Sequence, residues 1–134
     1  MQLAPYLFFD GSCEEALNFY KRVFRGATVD INRFGDGPDA GNMPPDQRDR
    51  IMHATFTAPG ITFMASDGGE QPLGDMRRVS LSVSGNDAAE GQNVFDALAE
   101  GGSVTTPYSK QFWGASFGTL VDRYGIAWMV NFGR

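Results

Sequence analysis

Apolar and polar residues follow one order of patterns along this chain, and that order occurs twice. In each half, a strand-like apolar run precedes a segment with the apolar spacing of a helix, and three further strand-like runs follow. The first helical segment follows Ser12 and stops at Gly26, and the second follows Asp87 and stops at Gly101. Both limits repeat at an offset of 75 residues (87 − 12 and 101 − 26). Each half is therefore predicted to be a βαβββ module.

The limits of the elements follow from the same patterns. The two helices are predicted near 13–25 and 88–100. Segment 35–50 occurs only in the first half and contains three Pro and three Gly, which predicts a long loop. Ser12 and Glu15 form the S-x-x-E pattern of a capping box, so the Ser12 side chain is predicted to cap the first helix. Strands are predicted at Leu3–Phe9, Thr28–Phe34, Ile51–Thr57, Ile61–Ser66, Arg78–Val83, Val104–Tyr108, Phe117–Val121 and Ile126–Phe132.

The repeat predicts an α+β fold built from two tandem modules within a single domain, 1–134. The first module is expected at about 1–67, the connector at 68–77 and the second module at about 78–134. Each helix is expected to cover the outer face of a curved, mixed sheet. The opposite faces are then expected to line one shared cavity, where a small-molecule ligand would bind.

Composition narrows the classes of partner. The chain has a formal net charge of −5 and no run of Lys and Arg, which disfavours nucleic acid and anionic membrane surfaces as partners. Cys13 is the single cysteine, so no internal disulfide can form, and no apolar run approaches the length of a membrane span. These features predict a cytoplasmic protein with no membrane partner.

Strand alternation predicts which side chains face the cavity. Ser80 and Ser82 alternate with apolar residues, so the serines are assigned to the cavity. Carrying the 75-residue offset to the first strand assigns Leu7 and Phe9 to the cavity and Tyr6 to the helix. The predicted ligand-binding residues are Phe9, His53, Thr55, Ser66, Asp67, Ser80, Ser82, Phe112, Trp113, Met129 and Asn131.

Several of these residues also have a purely structural interpretation. His53, the only histidine, is either a catalytic base facing the cavity or a strand residue satisfied by its neighbours. Asp67 is either a cavity acid or the end of a strand before two glycines. Phe112 and Trp113 form either an aromatic wall, a core plug or a dimer contact. Cys13 lies on the apolar stripe of the first helix, which predicts a buried, inert thiol.

Four segments carry a resemblance to a known family. They are Y-L-F-F-D-G-S-C-E-E-A-L-N-F-Y-K near the start, I-M-H-A around His53, F-M-A-S-D ending at Asp67, and K-Q-F-W-G-A-S-F-G-T-L-V-D-R-Y-G-I-A-W-M-V-N at the end. The chain resembles, over essentially its whole length, the PhnB-like branch of the vicinal oxygen chelate superfamily. That superfamily includes glyoxalase I, extradiol dioxygenases, fosfomycin resistance proteins and bleomycin-binding proteins. The resemblance implies paired βαβββ modules of glyoxalase-like fold, assembled as a homodimer.

The resemblance also bears on cofactors. Metal-binding members carry His or Glu on the first and last strands of their modules, whereas the positions that match here hold Pro5 and Met129. No cofactor is therefore predicted, and a divalent metal completed by a partner chain remains an alternative. Members of this branch are often labelled demethylubiquinone methyltransferase-like. No G-x-G-x-x-G loop follows the first strand of this chain, so methyl transfer is not expected.

The leading hypothesis is a metal-independent protein that binds, and as an enzyme would transform, a small hydrophobic or aromatic ligand. Two alternatives stay open. One is a metal-dependent lyase or dioxygenase of glyoxalase type. The other is a resistance protein that sequesters a cationic drug in a bleomycin-binding manner. As an enzyme, the protein would be a lyase or an oxidoreductase, with His53 as the candidate catalytic residue.

Overall fold

The computed structural model describes residues 1–37, 40–68 and 79–133. The chain divides into two compact units, Met1–Leu73 and Gly74–Arg134, which we call the first and second unit. Each unit contains one four-stranded sheet. The predicted connector lies outside the described residues except for Gly68, and so does Arg78, the predicted start of the fifth strand.

The first unit has the predicted order of strand, helix and three strands. Its elements are β1 (Tyr6–Phe8), α1 (Cys13–Val23), β2 (Thr28–Arg33), α2 (Pro45–Arg48), β3 (Ile51–Ala58) and β4 (Ile61–Ser66). The strands lie in the order β1-β4-β3-β2. β1 runs parallel to β4, and the other two pairs are antiparallel.

The second unit repeats this topology. Its elements are β5 (Leu81–Gly85), α3 (Ala88–Ala99), β6 (Ser103–Lys110), β7 (Ser116–Val121) and β8 (Ala127–Phe132). The order is β5-β8-β7-β6, with β5 parallel to β8. The predicted α+β class with two βαβββ modules is therefore confirmed. Within the described ranges, no helix is long and apolar enough to cross a membrane.

In the first unit, aromatic rings join α1 to one face of the sheet. Tyr20 meets Phe63 edge-on at 5.9 Å between ring centroids, and Phe24, at the end of the helix, meets Phe56 at 6.4 Å. Phe56 and Phe63 are register partners whose rings stack at 4.7 Å. We call the side that packs on the helix the helix face, and the opposite side the helix-free face.

In the second unit, α3 lies so close to its sheet that only glycine fits at the contact. A Cβ added to Gly91 would lie 2.6 Å from Cβ of Phe132, and one added to Gly118 would lie 2.7 Å from the Phe95 ring. Both distances are far below van der Waals contact. The Tyr108 hydroxyl on β6 also joins the sheet to α3, because it donates to the Ala88 carbonyl at 2.9 Å. This face is therefore the helix face of the second unit.

The face assignment of the first strand is wrong by one residue. Leu7 pairs with Ala65, which pairs with Ala54 on the helix face, so Leu7 lies there and is 2% exposed. Alternation places Phe9 on the same side, and it is 3% exposed. Tyr6 consequently lies on the helix-free face, the reverse of the prediction.

The error comes from one extra residue between β1 and α1. Leu7 pairs with Ala65 where Val83 pairs with Val130, which gives an offset of 76 (83 − 7). The helices begin at 13 and 88, an offset of 75. Because side chains alternate along a strand, a shift of one residue moves every side chain to the opposite face.

The two helices start with different caps. The Asp87 side chain accepts from the Ala89 N–H at 2.9 Å and caps α3. Ser12 makes no side-chain cap, contrary to the prediction. Instead, Asp67, which follows β4, accepts from the N–H groups of Gly11 and Cys13, both at 2.9 Å. A residue distant in the sequence thus accepts the hydrogen bonds of the free N–H groups at the start of α1.

The described residues of segment 35–50, which are all but 38 and 39, have more structure than the predicted loop. It contains α2, and short 3₁₀ turns cover Phe34–Asp36 and Ala40–Asn42. Arginine side chains hold these pieces: Arg48 donates to the Met43 carbonyl at 3.0 Å, and Arg33 donates to the Asp49 carbonyl at 2.8 Å. These hydrogen bonds join α2 to Met43 and the end of the segment to β2.

Candidate functional site

A chain of hydroxyl, imidazole and hydroxyl crosses the helix-free face of the first unit. The Tyr6 hydroxyl lies 3.0 Å from Nδ1 of His53. The other ring nitrogen, Nε2, lies 3.5 Å from Oγ1 of Thr55, at the outer limit for a hydrogen bond. Strand register explains the grouping, because Tyr6 pairs with Met64 and Met64 pairs with Thr55. The sheet therefore aligns the three side chains on one surface.

The two tautomers of neutral His53 place the free proton at opposite ends of this chain. If Nε2 carries the proton, Tyr6 donates to Nδ1, the ring donates to Thr55, and the Thr55 hydroxyl proton is free. If Nδ1 carries the proton, the ring donates to Tyr6, and the phenol proton is free. Either tautomer leaves one hydroxyl donor available. The group can therefore donate to an oxygen of a ligand, and it can pass a proton along its length.

An aromatic surface continues from this chain. The rings of Tyr6 and Phe8 stack with centroids 4.8 Å apart, and Tyr6 meets His53 at 5.7 Å. Phe8 is 46% exposed, an unusual position for a large apolar ring on a strand. The helix-free face thus offers an accessible ring beside polar hydrogen-bonding groups, which is the usual composition of a small-molecule site.

The other predicted residues of the first unit have structural contacts: Phe9 is buried, and Ser66 and Asp67 form hydrogen bonds with backbone groups. Phe9 lies on the helix face, as described above. The Ser66 hydroxyl donates to the Met52 carbonyl at 2.8 Å and accepts from the Gly68 N–H at 2.7 Å. Besides capping α1, Asp67 accepts from the Ile51 N–H at 3.0 Å. Among the predicted residues of this unit, only His53 and Thr55 belong to the hydroxyl–imidazole chain.

In the second unit, the register brings together three predicted residues, Ser82, Met129 and Asn131. Ser82 pairs with Met129, and Ser84 pairs with Asn131, all on the helix-free face. Met129 and Asn131 are half-buried, whereas the serines are exposed. Ser80 is exposed and precedes β5.

Three aromatic rings form an open cluster at the turn between β6 and β7. Phe112 meets Trp113 edge-on at 4.9 Å, and Trp113 meets Phe117 at 5.9 Å. Phe112 is 97% exposed and Trp113 is 51% exposed, so a core plug is not their arrangement. Phe117 pairs with Asn131, which connects this cluster to the polar group of β8.

Sequence reasoning missed Tyr6, Phe8 and Phe117 as site residues. The first two were lost through the one-residue shift at the start of the first unit. A signal was present, because F-F-D-G-S between strand and helix is one residue longer than the equivalent S-G-N-D. Phe117 alternates with Gly118, and that glycine could have indicated the close helix contact on the opposite face.

The described residues do not fit a divalent metal site. Across residues 1–37, 40–68 and 79–133, no group of three or more His, Cys, Asp or Glu could hold an ion. Both nitrogens of His53 face hydroxyl groups, and Met129 occupies the position matched to a family ligand. A hard or borderline cation prefers oxygen and imidazole donors to a thioether.

Cys13 lies on α1 with no exposed surface. Burial raises the pKa of its thiol to about 12, and the carboxylates of Asp67 and Glu14 add to this effect. We expect Ellman's reagent at pH 8 to label the native protein about 1000-fold more slowly than the urea-unfolded chain, because the thiolate fraction falls by about three orders of magnitude. Native labelling at the unfolded rate would contradict this result.

The same raised pKa has a consequence for stability. The unfolded thiol loses its proton near pH 9, whereas the folded thiol keeps it until about pH 12. The thiol should therefore lower stability as pH rises through this window, since the folded state binds more protons there. The Cys13→Ala variant should lose this component of the pH dependence in urea titrations at pH 8 to 11.

The fold and both site groups allow comparison with known proteins. A glyoxylase/bleomycin resistance protein/dioxygenase domain from Frankia sp. EAN1pec superposes with a TM-score of 0.64, covering all of this chain and 98% of that one, at 16% identity. This likeness places the fold in the glyoxalase class.

A family model described as 3-demethylubiquinone-9 3-methyltransferase matches residues 1–131. The chain therefore belongs to this PhnB-like family. It is 30% identical to protein YjdN of Escherichia coli K12, covering 98% of this chain and 95% of that protein. The family resemblance predicted from the sequence is confirmed.

Two solved structures are similar over the whole chain. Protein PA1353 from Pseudomonas aeruginosa is 41% identical with a TM-score of 0.86, covering 99% of this chain and 98% of that one. A putative 3-demethylubiquinone-9 3-methyltransferase, PhnB protein, from Bacillus cereus is 28% identical with a TM-score of 0.79, covering 99% and 100%.

Proposed function

We propose that this protein binds a small hydrophobic or aromatic ligand on its helix-free faces, without a metal. The observation that carries the proposal is the Tyr6–His53 hydrogen bond beside the exposed ring of Phe8. A stacking ring gives a planar ligand apolar contact, and the hydroxyl–imidazole chain gives it a directed hydrogen bond.

The chemistry that this group supports is proton transfer. A ligand carbonyl or phenolate oxygen near the Tyr6 hydroxyl would receive a hydrogen bond from it. When the Tyr6 hydroxyl gives its proton to that oxygen, Nδ1–H of His53 can return a proton to Tyr6. Nε2 of His53 then takes the hydroxyl proton of Thr55, and Thr55 takes one from water. No metal is needed for such a transfer, which general acid–base groups perform alone. The methyltransferase description of the family would require a methyl donor, for which we assign no binding residues.

The proposal is tested by removing each end of the Tyr6–His53 bond. We expect Tyr6→Phe to weaken binding of acetophenone, a planar ring with a carbonyl acceptor, by about tenfold, the value of one lost hydrogen bond. His53→Ala should also weaken binding, because the Tyr6 hydroxyl loses the ring nitrogen that orients it. Binding would be measured by ¹H–¹⁵N NMR titration of the full chain, following the amides of β1 and β3. Both variants should fold, because neither side chain belongs to the core of the first unit.

Tyr108→Phe provides the matched control. This substitution also removes one phenol hydroxyl that is hydrogen-bonded within the protein, but on the helix face of the second unit. Its affinity for acetophenone should equal that of the wild type. If wild type and all three variants respond alike, the Tyr6–His53 group is not a binding site. Near-stoichiometric zinc, nickel, iron or manganese in protein purified without chelator would instead favour the metal-dependent lyase or dioxygenase.

A further inference from the structure

One side-chain oxygen in the second unit is buried without a hydrogen-bond donor. It is Oδ1 of Asn131, and no other buried side-chain nitrogen or oxygen of the described residues lacks a partner. Asn131 lies on β8, on the helix-free face, between its register partners Ser84 on β5 and Phe117 on β7. The amide therefore stands in the middle of the sheet rather than at an edge.

Asp122, another buried acceptor of the second unit, has hydrogen-bond donors for both of its carboxylate oxygens, unlike Oδ1 of Asn131. Oδ1 of Asp122 accepts from the N–H groups of Tyr124 and Ile126, and its Oδ2 accepts from the Trp128 indole. Native proteins satisfy nearly all buried acceptors, because an unmade hydrogen bond costs the desolvation of the group. An amide kept at such a cost is a candidate for recognising a donor that the chain itself does not supply.

The residues around Asn131 indicate what kind of molecule would carry the hydrogen-bond donor. Phe117 is its neighbour across the strands, and the Trp113 ring meets Phe117 at 5.9 Å. Trp113 is 51% exposed, so an aromatic surface leads from solvent towards the amide. The register partners of Asn131 are a serine and a phenylalanine, neither of which carries charge. This environment favours a neutral, planar group over an ion.

We infer that the second unit binds a planar aromatic or heteroaromatic molecule that donates an N–H or O–H hydrogen bond to Oδ1 of Asn131, with its ring beside Phe117 and Trp113. This inference names the class of ligand for the helix-free face of the second unit. It rests on the proposed function, namely that the helix-free faces bind a small ligand. It does not depend on the Tyr6–His53 group, which lies in the other unit.

A pair of probes tests the donor directly. Indole carries a ring N–H, and 1-methylindole has the same ring without the donor. In ¹H–¹⁵N titrations of the full-length protein, the wild type should bind indole at least tenfold more tightly, with shifts at the Asn131 side-chain amide and the Trp113 indole. The Asn131→Leu variant keeps the size of the side chain but removes the acceptor, so it should lose this preference.

The same variant has a second readout. Since a leucine side chain has no unpaired oxygen to bury, the melting temperature of the Asn131→Leu variant should rise. Replacing Ser103, an exposed serine on β6, with alanine should change neither the melting temperature nor the preference. Equal binding of the two probes by the wild type, no binding of either, or a lower melting temperature for Asn131→Leu would each overturn the inference. None of these results touches the acetophenone response of Tyr6 and His53, so failure here is separable from failure of the proposed function.

Discussion

Replacing Asp67 with alanine is expected to lower the free energy of unfolding by about 4 kcal/mol. The carboxylate of Asp67 is 7% exposed and accepts three backbone N–H groups, from Gly11, Cys13 and Ile51. Hydrogen bonds to a charged group contribute roughly 1.5–3 kcal/mol each, and each donor left without a partner adds its desolvation cost. The sum is below three times that value, because the helix start can relax towards water. Equilibrium urea unfolding of wild type and variant measures the difference.

Two further substitutions separate the role of Asp67 from a general charge effect. Asp67→Asn keeps one carbonyl oxygen but turns an amide N–H towards at least one backbone donor, so an intermediate loss of about 2 kcal/mol is expected. Asp10→Ala removes a nearby exposed carboxylate paired with Arg50 and should change stability by less than about 1 kcal/mol. An Asp67→Ala protein as stable as Asp10→Ala would show that the three hydrogen bonds contribute little.

Substituting Gly91 with alanine should lower stability by about 2 kcal/mol, although alanine is the better helix former. The added Cβ would lie 2.6 Å from Cβ of Phe132 and would also meet the Tyr108 hydroxyl. Overpacking of this kind costs about 3 kcal/mol at the upper end of its usual range, and helix propensity returns about 1 kcal/mol. Thermal and urea unfolding should both report the loss.

Gly41→Ala is the matched control for this substitution. A Cβ added at Gly41 meets nothing within 4 Å. The free energy of unfolding should therefore change by less than about 0.5 kcal/mol. If Gly91→Ala were as stable as the wild type, α3 would have to move away from β8 without cost, contrary to the close packing described above.

Much of the fold follows from local signals in the sequence. Helix limits at 13 and 88 come from apolar spacing, and Gly26 and Gly101 stop both helices with φ of +75° and +76°. The cap of α1 could not be predicted in the same way. Asp67 reaches the helix from 54 residues away, and Ser12 offers a local pattern that the fold does not use. Local patterns identify elements, but tertiary contacts decide which groups satisfy their ends.

The candidate site was harder to predict than the fold. The placement of His53 and Thr55 on the helix-free face could be predicted, because side chains alternate along a strand with a period of two residues. Tyr6 was missed because its face depends on the number of residues between β1 and α1. A single offset of 75 does not account for the extra residue in the first unit. The unpaired oxygen of Asn131 depends on what surrounds it in three dimensions, and no spacing in the sequence reports that.

The register also shows which residues of the two units are counterparts. Tyr6 and Ser82 both pair with a methionine, Met64 or Met129, and Phe8 and Ser84 pair with Ser66 and Asn131. His53 and Phe117 stand two residues before Thr55 and Thr119, which pair with the same two methionines. Where one copy has rings on its outer strand and an imidazole inside the sheet, the other has serines outside and a ring inside. The two halves therefore carry different side chains at equivalent positions. A chain built from two identical halves would lack either the hydroxyl–imidazole chain or the buried amide oxygen of Asn131.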